Sequence, residues 1–211
     1  MSSIKTPSIS AIVVAGGLST RMGALKQLLP YGSHTVIEQI VSVLLQCSLD
    51  EVVVVTGHER QAIEAKLAAW PVRPVFNTNY REGEMLSSIQ CGLDALDTEC
   101  RAALLVLGDQ PQLEIDVVRR LIDAYQAAVG RLIIPSFQMR RGHPIVIDRV
   151  YWPEILNLDS EKSLRDVTNP HAEEIHYVVV ETDSVLRDID TPEEYRQELK
   201  QLATKKDASI Y

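Results

Sequence analysis

The stretch ISAIVVAGGLSTRMGALKQLLP, residues 9–30, decides the reading of the fold. Residues 9–15 form a short apolar run that ends on Gly16-Gly17. A run of this kind bounded by glycine reads as a buried parallel strand feeding a loop. Gly16, Gly17 and Gly23 let backbone N–H groups come close to a ligand. Ser19 and Thr20 add hydroxyls, Arg21 adds a planar fork of donors, and Lys26 adds a mobile point charge. A concave, cationic, donor-rich loop behind a strand suits a polyphosphate. The loop is neither GxxxxGK[ST] nor GxGxxG, which sets aside the P-loop and the dinucleotide fingerprint. By composition alone, the same residues are equally compatible with an ordinary turn carrying two solvated charges.

Outward from this stretch, strand and helix patterns alternate. Apolar runs predict strands at 51–56, 74–77, 102–107, 132–135, 145–148 and 176–180. Helical spacing predicts helices at 35–46, 60–70, 85–96, 115–129 and 191–203. Such alternation means βαβ units, a mostly parallel sheet, and helices on both faces: a Rossmann-like α/β/α sandwich of three layers. In such folds ligands sit beyond the carboxyl ends of the strands. The glycine loop, Gly108-Asp109-Gln110-Pro111 and the Asn-rich segment at 77–79 all follow apolar runs and should gather on one rim. The 211 residues fit a single domain spanning 1–211, with residues 1–8 and 204–211 expected to be flexible.

The composition bounds the function. Hydrophobic residues make up 45% and charged residues 24%, values ordinary for a globular chain that can bury a core unaided. A net charge of −8 argues against a broad nucleic-acid grip but leaves room for a small anion held locally. Cys47, Cys91 and Cys100 form no CxxC pair, and three is an odd number, so neither a disulfide framework nor a zinc site is expected. No signal-like or membrane-spanning apolar stretch is present, which makes the cytoplasm the expected compartment.

Asp109 stands at the end of an apolar run, where a carboxylate is costly unless it meets a cation. Mg²⁺ takes one or two protein carboxylates and fills its octahedron with phosphate oxygens and waters. Taken alone, Asp109 is also compatible with a turn or helix-cap residue. In Asp188-Ile189-Asp190-Thr191-Pro192-Glu193, the two acids lie two residues apart and share a face in extended backbone. Asp190 or Thr191 is also a good cap for the final helix. Asn79, Gly83, Ser87 and Ser88 precede or open a helix, and Arg140-Arg141-Gly142-His143-Pro144 places two cations beside a histidine.

With these motifs in order, the chain resembles the nucleotidyltransferases that include molybdopterin guanylyltransferase and molybdenum cofactor cytidylyltransferase. More distantly it is similar to sugar-nucleotide pyrophosphorylases, which implies a nucleotide-diphospho-sugar transferase-like fold. The resemblance spans about residues 9–196. It implies transfer of NMP from an NTP to a phosphorylated acceptor of the molybdopterin type, with release of pyrophosphate. It further implies that Ala15, Gly16, Gly17 and Ser19 wrap the NTP, Arg21 binds its outer phosphates and Lys26 neutralises charge at the α-phosphate. Asp109 and Asp190 would hold Mg²⁺, with Asp188 behind them. Asn79, Gly83, Ser87 and Ser88 would border base and ribose, and Arg141 and His143 the acceptor. Ala15-Gly16-Gly17 leans to the guanylyl type; LLP and RRGHP lean to the cytidylyl type, so CTP is favoured and GTP is the alternative. A sugar-phosphate acceptor, or a non-catalytic protein delivering the cofactor to a molybdenum hydroxylase, are the other readings.

Overall fold

A computed structural model describes residues 8–82 and 84–208, with side chains for 8–82 and 85–204. Gly83 therefore lies outside the described residues. The strands are β1 (Ile9–Ala15), β2 (Pro30–Tyr31), β3 (His34–Thr35), β4 (Val52–Thr56), β5 (Arg73–Phe76), β6 (Ala102–Leu107), β7 (Leu132–Phe137), β8 (Arg140–Arg141), β9 (Ile145–Asp148) and β10 (Ile175–Val179). The helices are α1 (Val36–Leu44), α2 (Arg60–Leu67), α3 (Glu84–Ala95), α4 (Ile115–Gln126), α5 (Trp152–Leu156), α6 (Arg165–Thr168) and α7 (Pro192–Ala208).

The main sheet runs β10-β7-β9-β6-β1-β4-β5, with β8 paired to β7. β1 pairs in parallel with both β4 and β6, so a strand buried along almost all its length lies near the middle. The sheet is mostly parallel, as expected, but β9 runs antiparallel to both β6 and β7. The reason is local. β7 turns back through Gln138 and Met139, both in left-handed backbone, into β8, and the chain then has no crossover helix before β9.

Alternate residues of β1 feed opposite layers. Ala11, Val13 and Ala15 meet Ile37, Ile40 and Leu44 of α1, Ile63 of α2, and Val118 and Leu121 of α4. Ile12 instead joins Leu86, Ile89 and Leu93 of α3, with Trp152 and Ile155 of α5. This is the three-layer sandwich that the alternation of apolar runs implied. α1 starts where Thr35 N–H and Oγ1–H both donate to Glu38 Oε2, at 2.8 and 2.7 Å. The last helix, expected to stop at residue 203, continues to Ala208 because no Gly or Pro interrupts it. α5, α6 and the β2/β3 ribbon are too short to give a periodic signal and were not foreseen.

After β1, the chain builds β4 and β5 on one side and then β6 on the other. The carboxyl ends of β1 and β6 therefore flank the point where strand order reverses, the place where open α/β sheets hold ligands. Val14 is in register with Leu107, and Gly108 N–H donates to Val14 C=O at 3.0 Å. A Cβ on Gly108 would sit 2.6 Å from that oxygen, so only glycine lets the two loops meet.

Candidate nucleotide-binding active site

Two loops and a strap meet at this reversal point around a cleft of about 450 Å³. The first loop follows β1. Ser19 and Gly23 adopt left-handed backbone on either side of a single turn at Thr20–Met22, which folds the loop over the strand ends. Ser19 Oγ accepts from Lys26 N–H at 3.3 Å and so sets where the Lys26 side chain begins. The second loop follows β6 and carries Asp109. The third element is the segment before α7. Ile189 N–H donates to Asp109 C=O at 3.1 Å, which ties this strap to the second loop.

Lys26 joins all three. Its Nζ donates to Asp109 Oδ2 at 2.7 Å and to Asp190 Oδ1 at 2.7 Å. Arg21 Nη2 reaches the other oxygen, Asp190 Oδ2, at 2.7 Å. Residues 83 and 164 positions from Lys26 in sequence thus share one ammonium. Burial, the largest single influence, draws the Lys26 pKa down, but the two carboxylates together hold it above the usual lysine value. The hydrogen bond from Lys26 holds Asp190 below the usual aspartate range.

The structure also separates capping from site chemistry in the strap. Thr191 Oγ1 accepts from Glu194 N–H at 3.2 Å, while Glu194 Oε2 accepts from the backbone N–H groups of Asp190 and Thr191 at 2.9 and 2.8 Å. This reciprocal pair opens α7, and the Asp190 carboxylate faces the cleft. Asp188 sits behind. Gln110 Nε2 donates to Asp188 Oδ1 at 2.6 Å, and burial raises the Asp188 pKa.

The chemistry of a cation fits these residues. Asp109 Oδ1 is buried without a hydrogen-bond partner, an acceptor left for something outside the chain. Two carboxylates that one ammonium can reach are close enough to share one divalent ion. Among the described residues, no group of three or more His, Cys, Asp or Glu is arranged as a metal cage. The set therefore suits a metal that keeps water and phosphate oxygens among its ligands.

Of the other sequence-designated residues, Gly17, Ser19, Arg21, Lys26, Ser88, Asp109 and Asp190 line the cleft. Ala15 and Gly16 are buried and do not line it; a Cβ on Gly16 would come within 3.0 Å of Ser88 Oγ. Asn79 lies in an adjoining depression with Thr78 and Ser87. The residue that organises this wall is Asn77, which the sequence did not single out. It is buried, and its Nδ2 donates to Ser87 Oγ at 2.8 Å and Ser88 Oγ at 3.1 Å. Its Oδ1 accepts from Asn79 N–H at 2.9 Å. A polar residue closing an apolar strand was the available signal.

His143 lies within the electrostatic reach of Asp109 and Arg165; burial lowers its pKa to about 4 and keeps it neutral near pH 7. Its backbone N–H donates to Val185 C=O at 2.9 Å. Arg141 does not join the cluster. Its Nε donates to Tyr177 Oη at 2.7 Å and its Nη1 to Asn169 Oδ1 at 3.3 Å. An arginine on the two-residue β8 points toward its cross-sheet neighbours, a placement sequence spacing cannot give.

Known proteins share this architecture. Over 202 residues, the chain is 29% identical to the molybdenum cofactor cytidylyltransferase of Escherichia coli, covering 89% of this chain and 94% of the relative. Over 156 residues, it is 35% identical to nicotine blue oxidoreductase of Paenarthrobacter nicotinovorans, covering 71% and 75%. A Mycobacterium tuberculosis protein solved in complex with manganese superposes with a TM-score of 0.78 at 26% identity, covering 92% of this chain and 98% of that one. The model of the MobA-like NTP transferase domain matches residues 11–175, a span holding the glycine loop and Asp109, and the chain belongs to that family.

Proposed function

We propose that this protein is a nucleotidyltransferase that moves NMP from an NTP, CTP in preference to GTP, onto a phosphorylated acceptor of the molybdopterin type. The observation that carries the reading is the single Lys26 ammonium bonded at 2.7 Å to both Asp109 and Asp190, beside Arg21 and a glycine loop. One relative is named for a redox activity, so the choice of reaction rests on this cluster and on the cytidylyltransferase relative. The loop is not a dinucleotide fingerprint, and its cations face a polyphosphate-sized cleft.

An oxygen of the acceptor phosphate attacks the α-phosphorus of the NTP. The bond from that phosphorus to the bridging oxygen breaks, and its electron pair leaves with pyrophosphate. The acceptor oxygen is already anionic near neutral pH, so no side chain has to remove a proton. Lys26 and Arg21 donate to phosphate oxygens and offset charge as it shifts toward the leaving group. Asp109 and Asp190 would hold Mg²⁺, whose contribution is to neutralise phosphate charge; the manganese complex of the mycobacterial relative supports a divalent ion in this fold. Ser87 and Ser88, fixed by Asn77, shape the nucleotide wall, and neutral His143 lies toward the acceptor side. Holding both reactants on one rim contributes alignment worth on the order of 7–11 kcal/mol.

A molybdenum hydroxylase is the recipient class we assign to the product. No helix among the described residues is long and apolar enough to cross a membrane, and Cys47, Cys91 and Cys100 are free thiols, which suits a reducing compartment such as the cytoplasm. The test is pyrophosphate release across CTP, GTP, ATP and UTP, with and without molybdopterin and Mg²⁺. Tight ligand binding with no turnover on any combination would replace this reading with a carrier role.

A further inference from the structure

Lys26 stands in an unusual relation to the two acids. A lysine whose only task is to meet a phosphate would extend into the cleft with water around its ammonium. Here the side chain is 12% exposed, and its ammonium lies between two carboxylates that are themselves 22% and 28% exposed. Arg21 takes the remaining oxygen of Asp190. The two acids and two cations balance one another within a single contact network, and three of the four carboxylate oxygens are already engaged. Only Asp109 Oδ1 is left without a partner.

We propose that Lys26 is a stand-in for the divalent ion: it holds Asp109 and Asp190 together until nucleotide arrives, so that metal and nucleotide each favour the other's entry. The inference rests on the transferase reading and adds an order of events to it. A divalent ion arriving alone would meet a lysine and an arginine already neutralising its two ligands, and its charge would be repelled. A polyphosphate arriving alone would meet two carboxylates. When both arrive, the ammonium moves from carboxylate to phosphate, the carboxylates turn to the metal, and each ligand removes the obstacle to the other. The coupling is therefore positive and reciprocal. The fold supplies the means for the exchange. The Lys26 side chain is long and unbranched, whereas its backbone is pinned by Ser19 Oγ at 3.3 Å. The ammonium can thus swing without the loop moving. Ile189 N–H to Asp109 C=O holds the two acid-bearing segments together at 3.1 Å while the lysine leaves.

The test measures Mn²⁺ binding by the electron paramagnetic resonance signal of the free ion, with the intact protein. It is done without nucleotide and with the α,β-methylene analogues of CTP and GTP, which cannot be cleaved, after correction for Mn²⁺–nucleotide complexes measured without protein. Wild type should bind Mn²⁺ at least about tenfold more tightly with analogue than without it. Lys26→Met keeps most of the length and removes the charge; checked for folding by its melting temperature, it should bind Mn²⁺ without nucleotide about tenfold more tightly than wild type does. A lysine that serves phosphate alone would leave nucleotide-free Mn²⁺ binding unchanged. Equal Mn²⁺ affinity of wild type with and without analogue would overturn the inference, whatever the variant does. So would a folded Lys26→Met no tighter than wild type. If pyrophosphate release persists under either result, the transferase reading survives the loss of this one; if Mn²⁺ binds under no condition, the metal site and the inference both fall.

Discussion

Asp109→Asn exchanges one oxygen of the Lys26 network for an amide while keeping size and shape. In the folded protein, Lys26 still has Asp190 at 2.7 Å, so the ammonium is not left unpaired. With its amide oxygen toward Lys26 the new side chain keeps that hydrogen bond, and its NH2 takes the place of Asp109 Oδ1, which has no partner to lose. The stability change should thus be about 1 kcal/mol or less. For a chain of this length, that corresponds to a shift in melting temperature of about 2–4 °C at most. Turnover should respond quite differently. On the proposed function Asp109 is one of two carboxylates that would hold Mg²⁺ against the phosphates, and removing one preorganised charged group from such a site should cost about 10²–10³ in rate, or roughly 2.7–4 kcal/mol. Pyrophosphate release under saturating NTP and Mg²⁺ measures the rate, and a thermal melt on the same sample measures the stability. Turnover within a few-fold of wild type would refute the role given to Asp109. A large drop in melting temperature accompanying the loss would show that the residue is structural instead.

Other consequences are equally open to measurement. Gly142→Ala would place a Cβ 2.5 Å from Val185 C=O, so it should destabilise by about 1–3 kcal/mol, visible as a lower urea midpoint. His143 has its pKa lowered to about 4 by burial, so between that value and the ordinary histidine value the unfolded chain binds the extra proton. Stability should rise as pH increases through this window and fall by up to about 3 kcal/mol toward its acid end; His143→Gln should flatten that slope in urea titrations at pH 5 and pH 7. Arg21 is mostly exposed and, among the described residues, pairs with Asp190 alone, so Arg21→Ala should leave the melting temperature unchanged while raising the NTP KM by about tenfold, read from initial rates of pyrophosphate release.

Much of this architecture was legible in the chain itself. The apolar runs at 9–15, 51–56 and 102–107 had to be strands because each is buried on both faces, and their two-residue alternation assigns Ile12 and Val13 to opposite layers. Glycine after each run marked where loops approach closely, as the contact of Gly108 with Val14 C=O bears out. Those signals are local, and local sterics carry them. The direction of β9, the pairing of Arg141 with Tyr177, and the choice of Asn77 over Asn79 were not legible, because each depends on which distant segment lies across the sheet. The meeting of Lys26 with Asp109 and Asp190 is of the same kind. A sequence can present an acid that is costly to bury, but only packing that closes two loops and a strap onto one ammonium decides which cation meets it.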